Sequence, residues 1–136
     1  MLERISITLE KELIKAFDKL TSSKNYPNRS EAYRDLVRKA LVQKEWDDNS
    51  FVVGVITLVY DHHQRQLQDR LTNIQHDYED TVISTSHVHL NHHNCLEVVI
   101  VRGQSKNLRE MADRMIGLRG VKDGALTPTS TGKKLI

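Results

Sequence analysis

The chain has 136 residues, 38% of them apolar and 28% charged, with a net charge of only +2 and one cysteine. That length fits one ordinary domain or two small ones, and two small ones would each bury too little surface to stand alone, so association is expected. No apolar run approaches the ~20 residues of a membrane span, the start lacks the apolar core of a secretory leader, and one cysteine cannot close an internal disulfide, which together predict a cytoplasmic protein with no membrane partner.

Residues 4–9, Arg4-Ile5-Ser6-Ile7-Thr8-Leu9, alternate as a strand, with Ile5, Ile7 and Leu9 on one face and Arg4, Ser6 and Thr8 on the other. A lone six-residue strand cannot persist in water and must pair. A helix is predicted from about Glu10 to Ser22, with Leu13, Ala16, Phe17 and Leu20 on one stripe. After a turn at residues 23–27, Asn28-Arg29-Ser30-Glu31 reads as a capping box that opens a second helix to about Lys44, with Ala32, Leu36, Ala40 and Leu41 inward. Asp47-Asp48-Asn49-Ser50 reads as a linker, dividing a front domain, 1–46, from a second, 51–129. In the second, Phe51 to Tyr60 is a long apolar run of the buried-strand kind. His62 to His76 reads as a helix, Thr81 to Leu90 and Cys95 to Arg102 as a hairpin, Ser105 to Leu118 as a helix, and Gly120 to Thr129 as a last short strand. The order β-α-β-β-α-β is the ferredoxin-like arrangement, so the class is α+β. Residues 130–136 read as a tail.

A strand before two short amphipathic helices is the ribbon-helix-helix pattern. Two copies place their strands antiparallel, and such a ribbon fits the DNA major groove. Arg4, Ser6 and Thr8 would then face base edges. The start of the second helix, Asn28 to Ser30, would offer free backbone N–H groups to a phosphate, with Arg29 and Arg34 adding charge. Residues 1–44 are also mildly basic, with ten Lys and Arg against six Asp and Glu. The plainer reading is a module that only dimerises, but an outward face without a task would more often carry Lys and Glu.

In the hairpin, His87 and His89 are two apart and so share a sheet face. If residues 90–94 form the loop, Cys95 lies opposite His89 and Glu97 opposite His87. Two imidazoles and a thiolate on one face make three quarters of a metal site. It is a poor match to a structural zinc site, which uses two to four cysteines; a flat four-coordinate site would favour Ni(II) or Cu(II). His62, His63, His76, His92 and His93 are all candidates for the fourth ligand, and Glu97 could accept a hydrogen bond from His87. A catalytic Cys–His pair is disfavoured, because no Gly-rich loop or acid partner accompanies it, so no enzyme is expected.

Four motifs together, Arg4-Ile-Ser-Ile-Thr-Leu, Asn28-Arg-Ser-Glu-Ala, Ile74-Gln-His76, and His87-Val-His89 with Cys95-Leu-Glu-Val, closely resemble the NikR family of nickel-responsive bacterial repressors. The resemblance runs to about residue 126. It implies an N-terminal ribbon-helix-helix and a C-terminal ACT-like domain in a homotetramer that binds a double-stranded operator with two half-sites. It implies one Ni(II) per subunit in a square-planar site of His87, His89 and Cys95 from one chain and His76 from another. Tyr60 and His62 match positions in the surrounding hydrogen-bond network. Glu31 and Asp35 match carboxylates of an accessory cation site. Ser6 stands where some relatives have Thr, which implies a different base preference. Gln64 precedes Arg65 where some relatives have Lys, which implies a weaker non-specific DNA backbone contact there. The implied function is nickel-dependent repression, with nickel-uptake genes as the expected targets. The alternatives are a ribbon-helix-helix regulator whose ACT-like domain senses an amino acid, and a metal-storage protein.

Overall fold

The computed structural model describes all 136 residues, which fall into two units, Met1–Lys39 and Ala40–Ile136. In the first unit, residues 1–10 carry neither helix nor strand and are exposed throughout. The alternating segment has no second strand within its own chain, so its backbone groups have no ladder to join. Ile5, Ile7 and Leu9 remain 62%, 50% and 41% exposed.

Helix α1 spans Lys11–Ser23 and α2 spans Arg29–Asp47. Between them Asn25 takes a left-handed conformation, φ 57°, which Asn tolerates better than most residues. Asn28 caps α2 by accepting the Glu31 N–H on Oδ1 at 2.9 Å. Only this half of the expected capping box forms, because the Glu31 carboxylate pairs with Arg34 instead. Arg29 makes a two-pronged contact from Nε and Nη2 to Asp18, at 2.8 and 2.7 Å, tying the start of α2 to α1. Ala32 is buried, but Leu13, Leu20 and Leu36, expected inward, stay half-exposed. Two helices alone lack a third layer to cover both apolar stripes.

In the second unit, β1 (Phe51–Asp61), β2 (Val82–His89), β3 (Asn94–Gln104) and β4 (Val121–Pro128) form one antiparallel sheet in the order β2-β3-β1-β4. Helices α3 (Arg65–Asp77) and α4 (Ser105–Ile116) complete the βαββαβ order. This is the α+β, ferredoxin-like arrangement expected for an ACT-like domain. The core joins Ile56, Leu58 and Tyr60 of β1 and Val99 and Val101 of β3 to Leu67, Leu71 and Ile74 of α3 and Leu108, Met111 and Met115 of α4. The helices cover one sheet face only, so β1 alternates buried and half-buried rather than being buried on both sides. The other face presents Val53, Val55, Val59, Leu96, Val98 and Ile100, all half-buried.

The larger departures from the expected boundaries of the helices are at three ends. Helix α3 begins at Arg65, not His62, because Asp61 holds the preceding turn: its Oδ1 accepts the His63 N–H at 3.0 Å and its carbonyl accepts the Gln64 N–H at 3.2 Å. Helix α4 stops at Ile116, where the Gly117 N–H closes on the Asp113 carbonyl at 2.9 Å. Helix α2 runs past Lys44 to Asp47, because Trp46 is a core residue of the second unit. The expected linker is also tied down. Asn49 Oδ1 accepts the Lys106 N–H at 2.9 Å, and the Ser50 carbonyl accepts the Ser105 N–H at 3.0 Å.

Trp46 is 3% exposed, donates its indole N–H to the Thr129 carbonyl at 2.8 Å, and lies under the Arg109 guanidinium at 5.2 Å. Gly54 lies beneath it, where an added Cβ would meet the indole at 3.2 Å. Trp46→Ala would leave a cavity and an unpaired carbonyl, and is expected to cost about 3–5 kcal/mol in a denaturant-unfolding measurement.

Candidate metal centre

Strand β2 is an edge strand, and its pairing with β3 sets His89 opposite Cys95 and His87 opposite Glu97. Both pairs share the helix-facing side of the sheet, since Cys95 and Glu97 alternate in the same set as Val99 and Val101. Cys95 is 1% exposed and Glu97 2%, whereas the His87 side chain is half-exposed at the open edge.

A buried carboxylate must be fully hydrogen-bonded to be tolerated. Glu97 Oε2 accepts the Tyr60 hydroxyl at 3.2 Å, and Oε1 accepts the Gln75 amide at 3.1 Å. Oε1 also lies 3.2 Å from His87 Nε2. Gln75 is itself oriented by the Thr85 hydroxyl, which donates to its Oε1 at 2.9 Å. Donation from Nε2 to Glu97 leaves the lone pair of a neutral His87 on Nδ1. That nitrogen lies 3.9 Å from Cys95 Sγ. Burial pushes the Cys95 thiol above its ordinary pKa; the Tyr60 hydroxyl opposes this and the Glu97 charge reinforces it. Burial and the Glu97 charge also push the Tyr60 hydroxyl up, so it stays a donor.

His89 stacks on His62, ring centroids 4.6 Å apart and nearly parallel at 4°. His62 donates its Nε2–H to the His92 carbonyl at 2.8 Å, and its backbone N–H goes to the His93 carbonyl at 3.0 Å. The turn after β1 is thus fastened to the β2–β3 loop. His76 lies in the last turn of α3 and is exposed. Its neighbour Gln75, not His76, faces Glu97, so the single chain does not gather His76 with the hairpin residues. Nor do His87, His89 and Cys95 close up as a group: the cluster whose ligand atoms lie within 4.8 Å of one another is Asp61, His63 and His93. The donor set at the edge, one thiol and two imidazoles beside a hydrogen-bonded carboxylate, still fits a later transition metal.

At the other end, Arg4, Ser6 and Thr8 are exposed, as are Asn28 and Ser30 at the start of α2. Arg29 and Arg34 are engaged by Asp18 and Glu31. Asp35 accepts the Tyr26 hydroxyl and pairs with Lys39 at 2.9 Å. The Tyr26 hydrogen bond and then the Lys39 one hold the Asp35 carboxyl below its ordinary pKa. Glu31 and Asp35 thus lie one turn apart on α2 with their charges already met. Arg65 is exposed in the first turn of α3.

Residues 53–129 match the family model of the NikR C-terminal nickel-binding domain, and residues 3–44 match the ribbon-helix-helix proteins of the copG family. A relative from Desulfovibrio desulfuricans is 50% identical over 134 residues, covering 98% of this chain and 97% of its own. One from Desulfotalea psychrophila is 51% identical over 135 residues, covering 99% of each. Both are named as candidate nickel-responsive regulators. A solved structure of an uncharacterised Thermotoga maritima protein superposes with a TM-score of 0.54 over 60% of this chain and all of its own, at 7% identity, which speaks to fold alone. With a matching domain at each end and half-identical relatives along its length, the chain belongs to the NikR family of ribbon-helix-helix, nickel-responsive regulators, a family of transcription factors and not of enzymes.

Proposed function

We propose that this protein represses transcription when Ni(II) is held by His87, His89 and Cys95 of one subunit and His76 of another, one ion per subunit. The observation that carries the reading is the Glu97 contact, which turns His87 so that Nδ1 faces the Cys95 sulfur at 3.9 Å. Imidazole and thiolate donors suit Ni(II), and the bound ion would supply the link that joins the donors of two chains. Cys95 would bind as the thiolate, its proton released to solvent, and Glu97, steadied by Tyr60 and Gln75, would keep His87 in the tautomer that leaves Nδ1 free. His62, stacked on His89, limits the rotation of that ring. Glu97→Gln would replace one acceptor oxygen by a donor and loosen His87. Nickel affinity is expected to fall by about 10–100-fold in a competition titration, with the thiolate band retained.

His76 faces out of its own chain, so it can reach the hairpin of a neighbour. The uncovered sheet face of Val53, Val55, Val59, Leu96, Val98 and Ile100 gives the neighbours an apolar surface to pack. Two such contacts joined through paired front ends make a homotetramer with two DNA-binding ribbons. In each ribbon Ile5, Ile7 and Leu9 turn towards the helices and Arg4, Ser6 and Thr8 towards the bases. Asn28 and Ser30 would meet phosphates at the start of α2, with Arg29 and Arg34 exchanging their carboxylate partners for phosphate. Arg65 would add a non-specific contact. Glu31 and Asp35 would hold an accessory cation after releasing Arg34, Tyr26 and Lys39. Such a regulator works in the cytoplasm, and nickel-uptake genes are its proposed targets.

Selection from a random duplex library tests this reading. Nickel-loaded protein should enrich a sequence with two separated half-sites that the metal-free protein does not enrich; equal enrichment without metal, or a single half-site, would overturn it. On the selected sequence Arg4→Ala is expected to cost about 1–3 kcal/mol, with nickel affinity unchanged. Equal losses on selected and random DNA would reduce Arg4 to a phosphate contact.

A further inference from the structure

A second set of ligand atoms lies next to the hairpin site and uses none of its proposed ligands. Asp61 ends β1, His63 stands in the turn before α3, and His93 stands in the loop between β2 and β3. Each offers one ligand atom, and all three atoms lie within 4.8 Å of one another. We propose that Asp61, His63 and His93 form a second, weaker site for a divalent first-row transition metal.

The backbone carrying the three is fixed before any ion arrives. The His62 N–H bonds the His93 carbonyl at 3.0 Å, joining the turn to the loop. Asp61 Oδ1 accepts the His63 N–H at 3.0 Å. Asn91 Oδ1 accepts the N–H groups of His93 and Asn94 at 2.9 and 2.8 Å, which holds the loop. An ordinary surface ion pair would account for Asp61 and His63, whose ring Nδ1 lies 3.2 Å from the carboxylate. It does not account for His93, which arrives from a different element through a separately locked loop.

The chemistry selects the occupant. One carboxylate and two imidazoles form an oxygen–nitrogen face without sulfur, which suits Ni(II) or Zn(II) and leaves positions open to water. Ligand atoms about 2.0–2.2 Å from such an ion at tetrahedral angles lie roughly 3.3–3.6 Å apart. Asp61 and His63 already stand at 3.2 Å, and any contact to His93 as wide as the 4.8 Å limit must close by about 1.5 Å. His63 is half-exposed and His93 exposed, so both can make that movement. Three protein ligands open to solvent bind less tightly than four that enclose the ion.

Calorimetric titration of the full-length protein with Ni(II), followed alongside by the thiolate-to-nickel absorption band, tests the assignment. The parent should take up a second equivalent per chain after the first, without further growth of the band. His93→Ala and Asp61→Asn should each weaken that second step by more than the roughly 10–100-fold typical of losing an outer partner, and leave the first step intact. Asp61→Asn keeps the oxygen that accepts the His63 N–H, so the turn should survive. Absence of a second equivalent in the parent, an unchanged second step in both variants, or its loss in His92→Ala but not His93→Ala would overturn the proposal. Cys95→Ala should remove the first step and spare the second. If Cys95→Ala left the first step and its band intact, the hairpin reading would fail, while the outer-site assignment would still be decided by His93→Ala and Asp61→Asn.

Discussion

Cys95→Ala is expected to abolish the thiolate-to-nickel band and to bring DNA binding in the presence of nickel down to the level of the metal-free protein. The band needs a sulfur ligand, and Cys95 is the only cysteine in the chain. Loss of a direct ligand should exceed the ~10–100-fold that loss of a supporting partner costs a metal site. The fold should survive. Cys95 is 1% exposed and small, and its replacement by Ala removes one buried atom, for about 1 kcal/mol. Circular dichroism and sedimentation of the metal-free variant should therefore match the parent. Ni(II) can still be taken up at Asp61, His63 and His93, so total nickel is the wrong readout, and the band together with nickel-dependent DNA retention is the right one. Repression at the same nickel concentration as the parent would show that Cys95 is only a core residue of β3. By linkage, whatever factor nickel adds to DNA affinity, DNA must add to nickel affinity, so the variant should also lose the DNA-induced tightening of nickel binding.

The sheet was legible in the sequence because strand and helix periods are distinct there. The 87–89 alternation and the length of the 90–94 loop are enough to place His89 opposite Cys95 and His87 opposite Glu97, and that register is the one formed. Family membership was legible too, since four separated motifs carry it. Less legible were the ends of elements, which depend on single hydrogen bonds. The start of α3 moved to Arg65 because Asp61 captures the His63 N–H, a contact with no periodicity to announce it. The end of α2 moved because Trp46, alone in a polar stretch, belongs to the core of the second unit. The cluster of Asp61, His63 and His93 was also unforeseen. Its only signal was a pair of doubled histidines, His62-His63 and His92-His93, and their proximity follows from the β1–β3 pairing, which sets Asp61 opposite Asn94. The front end is the opposite case: its pattern is clear, but the ribbon it describes requires two chains, and one chain leaves Ile5, Ile7 and Leu9 exposed.

Mixing two inactive variants, His76→Ala and Cys95→Ala, is expected to restore tight nickel binding in about a quarter of the sites, because half of the two-fold interfaces are mixed and one site of each mixed pair is complete. The reasoning is geometric. Glu97 and its partners bring His87 towards Cys95 on the hairpin of one chain, while His76 points away from that chain's own network, where Gln75 takes its place. A ligand that faces outward completes a site only across an interface. In a mixed interface, the His76→Ala chain supplies an intact hairpin and the Cys95→Ala chain supplies an intact His76, so one site gains all four ligands and the other lacks two. Subunit exchange must be complete, which mass spectrometry of differently labelled chains can verify. The returning sites should show the planar nickel spectrum and the parental affinity, whereas His76→Ala alone should bind weakly through three ligands and water. If all four ligands sat in one chain, no mixture could rebuild a site. An absence of recovery after verified exchange would therefore reject the shared site, and with it the proposed coupling between metal binding and assembly.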